Sequence, residues 1–457
     1  MELFGLEIDY KNKPPLDEEF IPILLWNQVY LSYAREPLTI ALTAGEHQCT
    51  VYRTKIQNTG TSFPSDCFYV RKLIKSLLWT FGGYKLSITG SKEIYDYVAE
   101  IFCLTGERKF DVEFMEKIYG KPFTTEFLAA PPKAENTSIK LGRHLNGYRI
   151  GFDAGGTDRK VAAIANGKVV HTEEVLWYPS TQENADYHYQ NILDAILAAA
   201  KKIPRIDAIG ISSAGIYRNN QVCVASLFRS VPPEDFEEKV RNIYLRIGKT
   251  MGCQNIQVVN DGDVTALAGA MNLEANNVLG IAMSSSQASG FVDKEGNLTG
   301  WLNELCFAPV DLSPKAPEDE WSGDKGTGIN YFSQEAVLRL AKKAGIPLNE
   351  RDEDARKLKT VQMRAEQGEK RAVSVFKTIG TYLGHTLAYY HSIYQFQFVL
   401  LLGRVMSGAG GDIIFESAQT VLAWEYPEVA SEIFISLPEE ESRSVGQATA
   451  AASLPIV

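Results

Sequence analysis

Tyr148-Arg149-Ile150-Gly151-Phe152-Asp153-Ala154-Gly155-Gly156-Thr157-Asp158-Arg159-Lys160 is the stretch that decides the fold. Residues 148–152 alternate as a strand does, and the strand ends in a carboxylate, Asp153. Two glycines then turn the chain into a second strand that includes 161–165, and 168–172 reads as a third. Ile192, Leu193, Ile196 and Leu197 fall on one helical face, and 206–212 returns as a strand. The order β-β-β-α-β then repeats coarsely. Residues 256–259 read as a strand, a helix runs from Val264, strands follow at 278–283 and 290–292, and after further helices comes 398–402. Alternation with early hairpins implies two mixed α/β lobes. Gly380 and Gly384, on the helix before Gly403, read as points of close core packing.

Four groups of residues carry chemistry. In the first, glycines let backbone N–H groups of Gly155, Gly156 and Thr157 converge on a phosphate. Asp153 can organise hydrated Mg²⁺, and Thr157 and Lys160 can donate to phosphoryl oxygens. An ordinary Gly-Gly hairpin is the competing reading. In the second, Asn260-Asp261-Gly262-Asp263 joins a strand end to a helix start. Asp261 could be a general base with Asn260 orienting a hydroxyl, or the pair could simply cap the helix. The third is Ser284-Ser285-Ser286 between strands. The fourth is Gly403-Arg404 with Gly408, Gly410 and Gly411 beyond, where a strand empties into small residues before a helix. Taken singly, each of the last two reads more readily as a plain Gly-rich connection. Ser213, at a strand end, could hydrogen-bond a sugar. Asp324 and Lys325 read as part of a solvated loop.

The N-terminal part reads as a separate α/β domain over 1–130. It has strands at 38–43, 49–53 and 84–89, a helix through Val70, Leu73, Ile74, Leu77 and Leu78, and another through Ile94, Val98 and Ile101. Its strand–Gly-turn–strand–helix–strand order echoes the body's first lobe, so it could be a degenerate half of the same kind. Residues 131–146, beginning Pro131-Pro132, read as a linker. The first lobe is expected over 147–270 and the second over 271–457, with the C-terminal helix returning toward the first.

The 457 residues are 45% apolar and 22% charged, which excludes a disordered or disulfide-stapled chain. A net charge of −10 argues against nucleic acid or an anionic membrane as partner. The greasiest run, 398–402, is too short to span a bilayer, and the acidic N-terminus does not read as a signal peptide. The six cysteines contain no CxxC pair, so reduced thiols and a cytoplasmic setting are expected. The six histidines form no ligand-spaced cluster.

In this order and spacing, the four groups resemble the actin-like ATPase superfamily with its hexokinase-type sugar kinases, and within it the ROK family of sugar kinases and sugar-responsive repressors. The resemblance covers about residues 147–457. It implies a two-lobed actin-like ATPase (ribonuclease H-like) α/β fold and ATP-dependent phosphorylation of a sugar or sugar-like hydroxyl. Asp261 would be the base, and Asn260 and Glu304, with Ser213, would hold the sugar. Asp153 would position Mg²⁺. Gly155, Gly156, Thr157, Lys160, Ser285, Gly403, Arg404, Gly410 and Gly411 would meet ATP. Gly446-Gln447-Ala448-Thr449-Ala450-Ala451-Ala452 is similar to the family's closing helix. The chain also departs from the pattern. Phe307 stands near the position of the family's zinc-binding His and no cysteine cluster follows, so no zinc is expected. Ser284 stands where the second phosphate loop has Gly, and Arg404 replaces a Gly but could stack on the base. The partners expected are therefore a sugar and ATP, with a homodimer left open. These departures favour the first alternative, a non-catalytic sugar or nucleotide sensor that keeps the fold. The second is an actin-like ATPase acting on a protein or CoA-dependent partner.

Overall fold

The computed structural model describes residues 1–136, 140–156, 158–224, 226–437 and 441–457. The chain forms two compact units. Unit 1 comprises Met1–Thr137, Ile281–Ala288 and Trp301–Ile435; unit 2 comprises Ser138–Gly280, Ser289–Gly300 and Ser436–Val457. The N-terminal residues thus share a unit with 301–435.

Unit 1 contains a five-stranded sheet. Its elements are β1 (Glu36–Gly45), β2 (Gln48–Ile56), helix α1 (Phe63–Phe81), β3 (Lys85–Thr89), helix α2 (Lys109–Tyr119), β4 (Thr124–Phe127) and β5 (Glu135–Asn136). The strand order is β4-β3-β1-β2-β5. β5 lies inside the stretch read as a linker, and it pairs antiparallel with β2. α1 is a long helix because apolar residues recur on its inner face, where Val70, Leu73, Ile74, Leu77 and Leu78 are all buried.

Unit 2 is built on β6 (Tyr148–Ala154), β7 (Asp158–Ala165), β8 (Lys168–Leu176), α3 (Ala185–Ala200), β9 (Ala208–Ser213), β10 (Ile256–Asn260) and α4 (Asp261–Asn272). The order β8-β7-β6-β9-β10 puts an antiparallel meander beside two parallel strands. Ile150, Phe152, Ile209, Ile211 and Val258 from the sheet pack with Ile192 and Ile196 of α3 in one core. The echo between the two sheets stops at strand direction. Here three strands precede the helix, so β9 runs parallel to β6. In the N-terminal sheet only two precede α1, so β3 runs antiparallel to β1. One missing meander strand reverses everything after the helix.

The chain passes between the units along β11 (Val278–Met283) and β12 (Gln287–Val292). The rest of unit 1 includes α5 (Lys370–Tyr394), β13 (Phe398–Leu402), α6 (Gly408–Glu425) and β14 (Phe434–Ser436), giving a sheet of order β12-β11-β13-β14. Gly380 and Gly384 do mark a close approach: a Cβ on either would press into Ile414, Ser417, Ala418 or Val421 of α6. The last helix, α7 (Glu441–Ala452), belongs to unit 2. It lies directly on the sheet because Gly151 and Gly210 carry no side chain. A Cβ there would overlap the carbonyl oxygens of Ala448 and Ala451. Buried Arg149 donates to the carbonyl of Pro455 at 2.7 Å, which anchors the chain just beyond this helix.

Inside unit 1 the N-terminal part and residues 301–435 share a buried ion cluster. Asp324, read as a solvated loop residue, pairs with Lys75 and Arg108. Asp111 takes Trp79 Nε1 at 2.6 Å, Arg108 Nε at 2.7 Å and Lys75 Nζ at 3.4 Å. Burial alone would raise the Asp324 pKa, but Arg108 and Lys75 hold it well below the usual carboxylate range. Phe307 packs among Trp79, Phe110 and Phe114, which accounts for an apolar residue at that place. No described helix is long and apolar enough to cross a membrane.

Candidate active site

In unit 2 three parallel strands, β6, β9 and β10, end side by side. Register pairs Ser212 with Asp153 and Ser213 with Asn260, so their polar ends come together. Ligand sites of open α/β sheets form at such carboxyl ends.

Asp153 is only 4% exposed and accepts a hydrogen bond from Ser212 Oγ at 2.6 Å. Burial raises its pKa to about 7, and Asp261 adds to the rise; Ser212 and Lys160 oppose it. Lys160 is the register partner of Asp153 on β7, and its Nζ lies 3.2 Å from Asp158. Burial disfavours its charge, yet Asp153 and Asp158 outweigh burial and raise its pKa. At the turn, Gly155 is needed for packing, since a Cβ would press on Asp158. Gly156 faces open space, which leaves bare backbone at the place proposed for phosphate. Thr157 lies outside the described residues.

Asn260 is the N-cap of α4. Its Oδ1 accepts from Gly262 N at 2.7 Å and its Nδ2 donates to Gly215 O at 2.7 Å. Asp261 is the first helical residue, and its Oδ1 also accepts from Gly262 N at 3.1 Å. Burial raises its pKa to about 6 against the opposing pull of backbone N–H groups. Gly262 and Gly290 allow this helix start to approach β12, where a Cβ on either would overlap backbone. Ser213 is fully buried; its hydroxyl lies 2.6 Å from the Tyr217 phenol and 2.8 Å from that of Tyr244. Ser213, expected from the sequence to bind the sugar, is engaged here by these two phenols. They are the site's neighbours that spacing did not reveal, because Tyr217 and Tyr244 are brought to Ser213 only by the fold.

The remaining candidates belong to unit 1. Ser284 accepts Gln334 N on its carbonyl at 2.7 Å, and its Oγ accepts Arg404 N at 3.4 Å. Ser285 is exposed on the same turn, as is Arg404 beyond β13. Gly403 has φ 96°, and a Cβ there would strike Met283 backbone, so this glycine lets β13 end against β11. Gly410 and Gly411 are buried: a Cβ would meet the Phe376 ring or the Met406 carbonyl. Their smallness serves packing at the start of α6, where the sequence reading had nucleotide contact. Glu304 is held by its backbone N–H to Trp79 O at 2.9 Å, and its Oε2 lies 3.5 Å from Cys306 Sγ.

No family model matches the sequence, and no curated protein matches it. Solved structures do match in fold. A ROK hexokinase from Thermus thermophilus superposes with a TM-score of 0.51 at 19% identity, covering 66% of this chain and 97% of its own. A ROK family transcriptional regulator, a homologue of the E. coli MLC protein, gives 0.53 at 17% identity, covering 68% and 79%. With its meander, parallel strands and closing helix, the chain therefore has the actin-like ATPase fold found in ROK hexokinases and regulators.

Proposed function

We propose that this chain is an ATP-dependent kinase that phosphorylates a sugar or sugar-like hydroxyl. One observation carries the reading: Asn260 caps α4, so Asp261 is not needed as the cap, and burial raises its pKa toward neutrality. A carboxylate so placed can accept the hydroxyl proton as phosphoryl transfer proceeds. Asn260 retains one amide hydrogen with which to orient that hydroxyl.

The residues at the β6 turn fit a metal-bound phosphate. Gly156 offers bare backbone, Lys160 is held charged, and Ser212 engages one Asp153 oxygen and leaves the other for Mg²⁺. MgATP, when bound, supplies the phosphoryl group and part of the charge neutralisation. Asp153 and Lys160 would hold it, and Asp261 would manage the proton. No zinc enters this scheme.

A second reading, a sensor without turnover, is favoured by the Ser284 side chain. Its hydroxyl is tied to Arg404 N in the turn where bare backbone would otherwise meet phosphate. A coupled ATP-consumption assay over a panel of sugars separates the readings. Sugar-dependent turnover supports the kinase. Sugar binding without turnover supports the sensor, and sugar-independent turnover rejects both.

A further inference from the structure

The inward residues of α7 are small: Ala448, Ala450, Ala451 and Ala452 are all buried. Gln447 interrupts this run with a long polar side chain. Its Nε2 lies 3.4 Å from Ser212 Oγ and 3.3 Å from Thr265 Oγ1. Ser212 is fully buried and donates its only hydroxyl proton to Asp153. Thr265 lies on α4, four residues after Asp261 and therefore on the same helical face. One amide thus touches both elements that carry the candidate carboxylates.

We propose that Gln447 is a positioning residue of the phosphoryl-transfer site, fixing the Asp153 carboxylate through Ser212 and the helix start at Asp261 through Thr265. The assignment rests on the kinase reading for its purpose, but its geometry stands alone. A hydroxyl has one proton and two lone pairs. An N–H donated into Ser212 Oγ leaves the serine proton for Asp153. With the amide turned over, its oxygen would accept that proton and take it away from the carboxylate. Thr265 Oγ1 lies within reach of the same nitrogen, but its hydroxyl can pair with either end of the amide, so the Ser212 contact alone sets the orientation. The C-terminal helix thereby sets which Asp153 oxygen is engaged and which stays open.

The test uses the full chain with Gln447→Met, which keeps length without a donor, and Gln447→Glu, which replaces the donor with an acceptor. Crystal structures of parent and variants read the Ser212 rotamer. The proposal expects Ser212 on Asp153 in the parent, turned toward the new carboxylate in Gln447→Glu, and less firmly held in one rotamer in Gln447→Met. In sugar-dependent turnover it expects kcat to fall roughly 10–100-fold, the usual effect of removing an outer-shell partner. KM for sugar should stay within a few-fold, and melting temperatures close to the parent's. Ser212 remaining on Asp153 in both variants overturns the proposal. So does an unchanged kcat, or a loss that merely tracks a fall in melting temperature. If the parent turns over no sugar, the kinase reading fails, while the Ser212 rotamer still decides the role of Gln447.

Discussion

Burial raises the proton affinity of Asp261 and Asp153, with opposite consequences for turnover and stability. On the proposed kinase reading Asp261 is a base only when ionised, so kcat should fall as pH drops through about 6. Asp261→Asn should lower kcat by roughly 10²–10⁴ and remove that limb of the profile. Because Asn260 holds the cap, melting near pH 4, where the parent residue and its replacement are both neutral, should scarcely change; a near-parental kcat would remove Asp261 from the mechanism. Stability runs the other way. The native state holds protons on these carboxylates up to about pH 6–7, whereas an aspartate in the unfolded chain gives its proton up near 3.8. The native state therefore binds more protons between these limits, and ligand-free protein should lose stability as pH rises through them. Asp153→Asn should accordingly melt higher than the parent at pH 8, and the gap should close near pH 4. Thermal melts across pH check this, and a gap independent of pH would refute it. Both carboxylates were legible in sequence because each ends an apolar strand beside glycine. The engagement of Ser213 was not, since Tyr244 lies 31 residues away.

Glycines divide into two kinds at the level of elements. Gly151 and Gly210 let α7 rest on the unit 2 sheet, whereas Gly156 borders open space. Gly210→Val should lower stability by about 1–3 kcal/mol or more, because the overlap is with backbone that cannot step aside. Gly156→Ala should melt like the parent and instead raise KM for ATP. Parallel denaturation and kinetic measurements decide, and equal melting losses in both would refute the distinction. Sequence does not separate the two kinds. Gly410 and Gly411 stand in the first turn of α6, close to where a phosphate-binding glycine would be expected, yet they meet Phe376 and Met406. The strands of unit 2 were readable from alternation and turn residues. The direction of β3 was not, because it depends on how many strands precede a helix.

Unit 1 as a whole is closed by contacts between distant parts of the sequence. The Lys75–Asp324 pair spans 249 positions and leaves no local pattern, which is why residues 1–130 read as a domain apart. Lys75→Met would take one cation away from buried Asp111 and Asp324, a loss of about 3–5 kcal/mol for a broken buried pair. Chemical denaturation should register it, and an effect under 1 kcal/mol would mean the cluster relaxes into water. By the same reasoning, a fragment of residues 138–457 should not give soluble, monodisperse protein, as gel filtration would show. Folding of that fragment would establish the N-terminal part as dispensable.

The order of synthesis adds a constraint of its own. The sheet of unit 2 has its β6 and β9 strands by residue 213, but the helix that covers Gly151 and Gly210 begins at 441. At roughly 5–20 residues per second, that face leaves the ribosome tens of seconds before its cover does. A nascent chain in that interval exposes a bare, glycine-notched apolar surface. Its protection must come from the translation machinery or from chaperones, and a stop codon anywhere before 441 would leave the surface permanently uncovered.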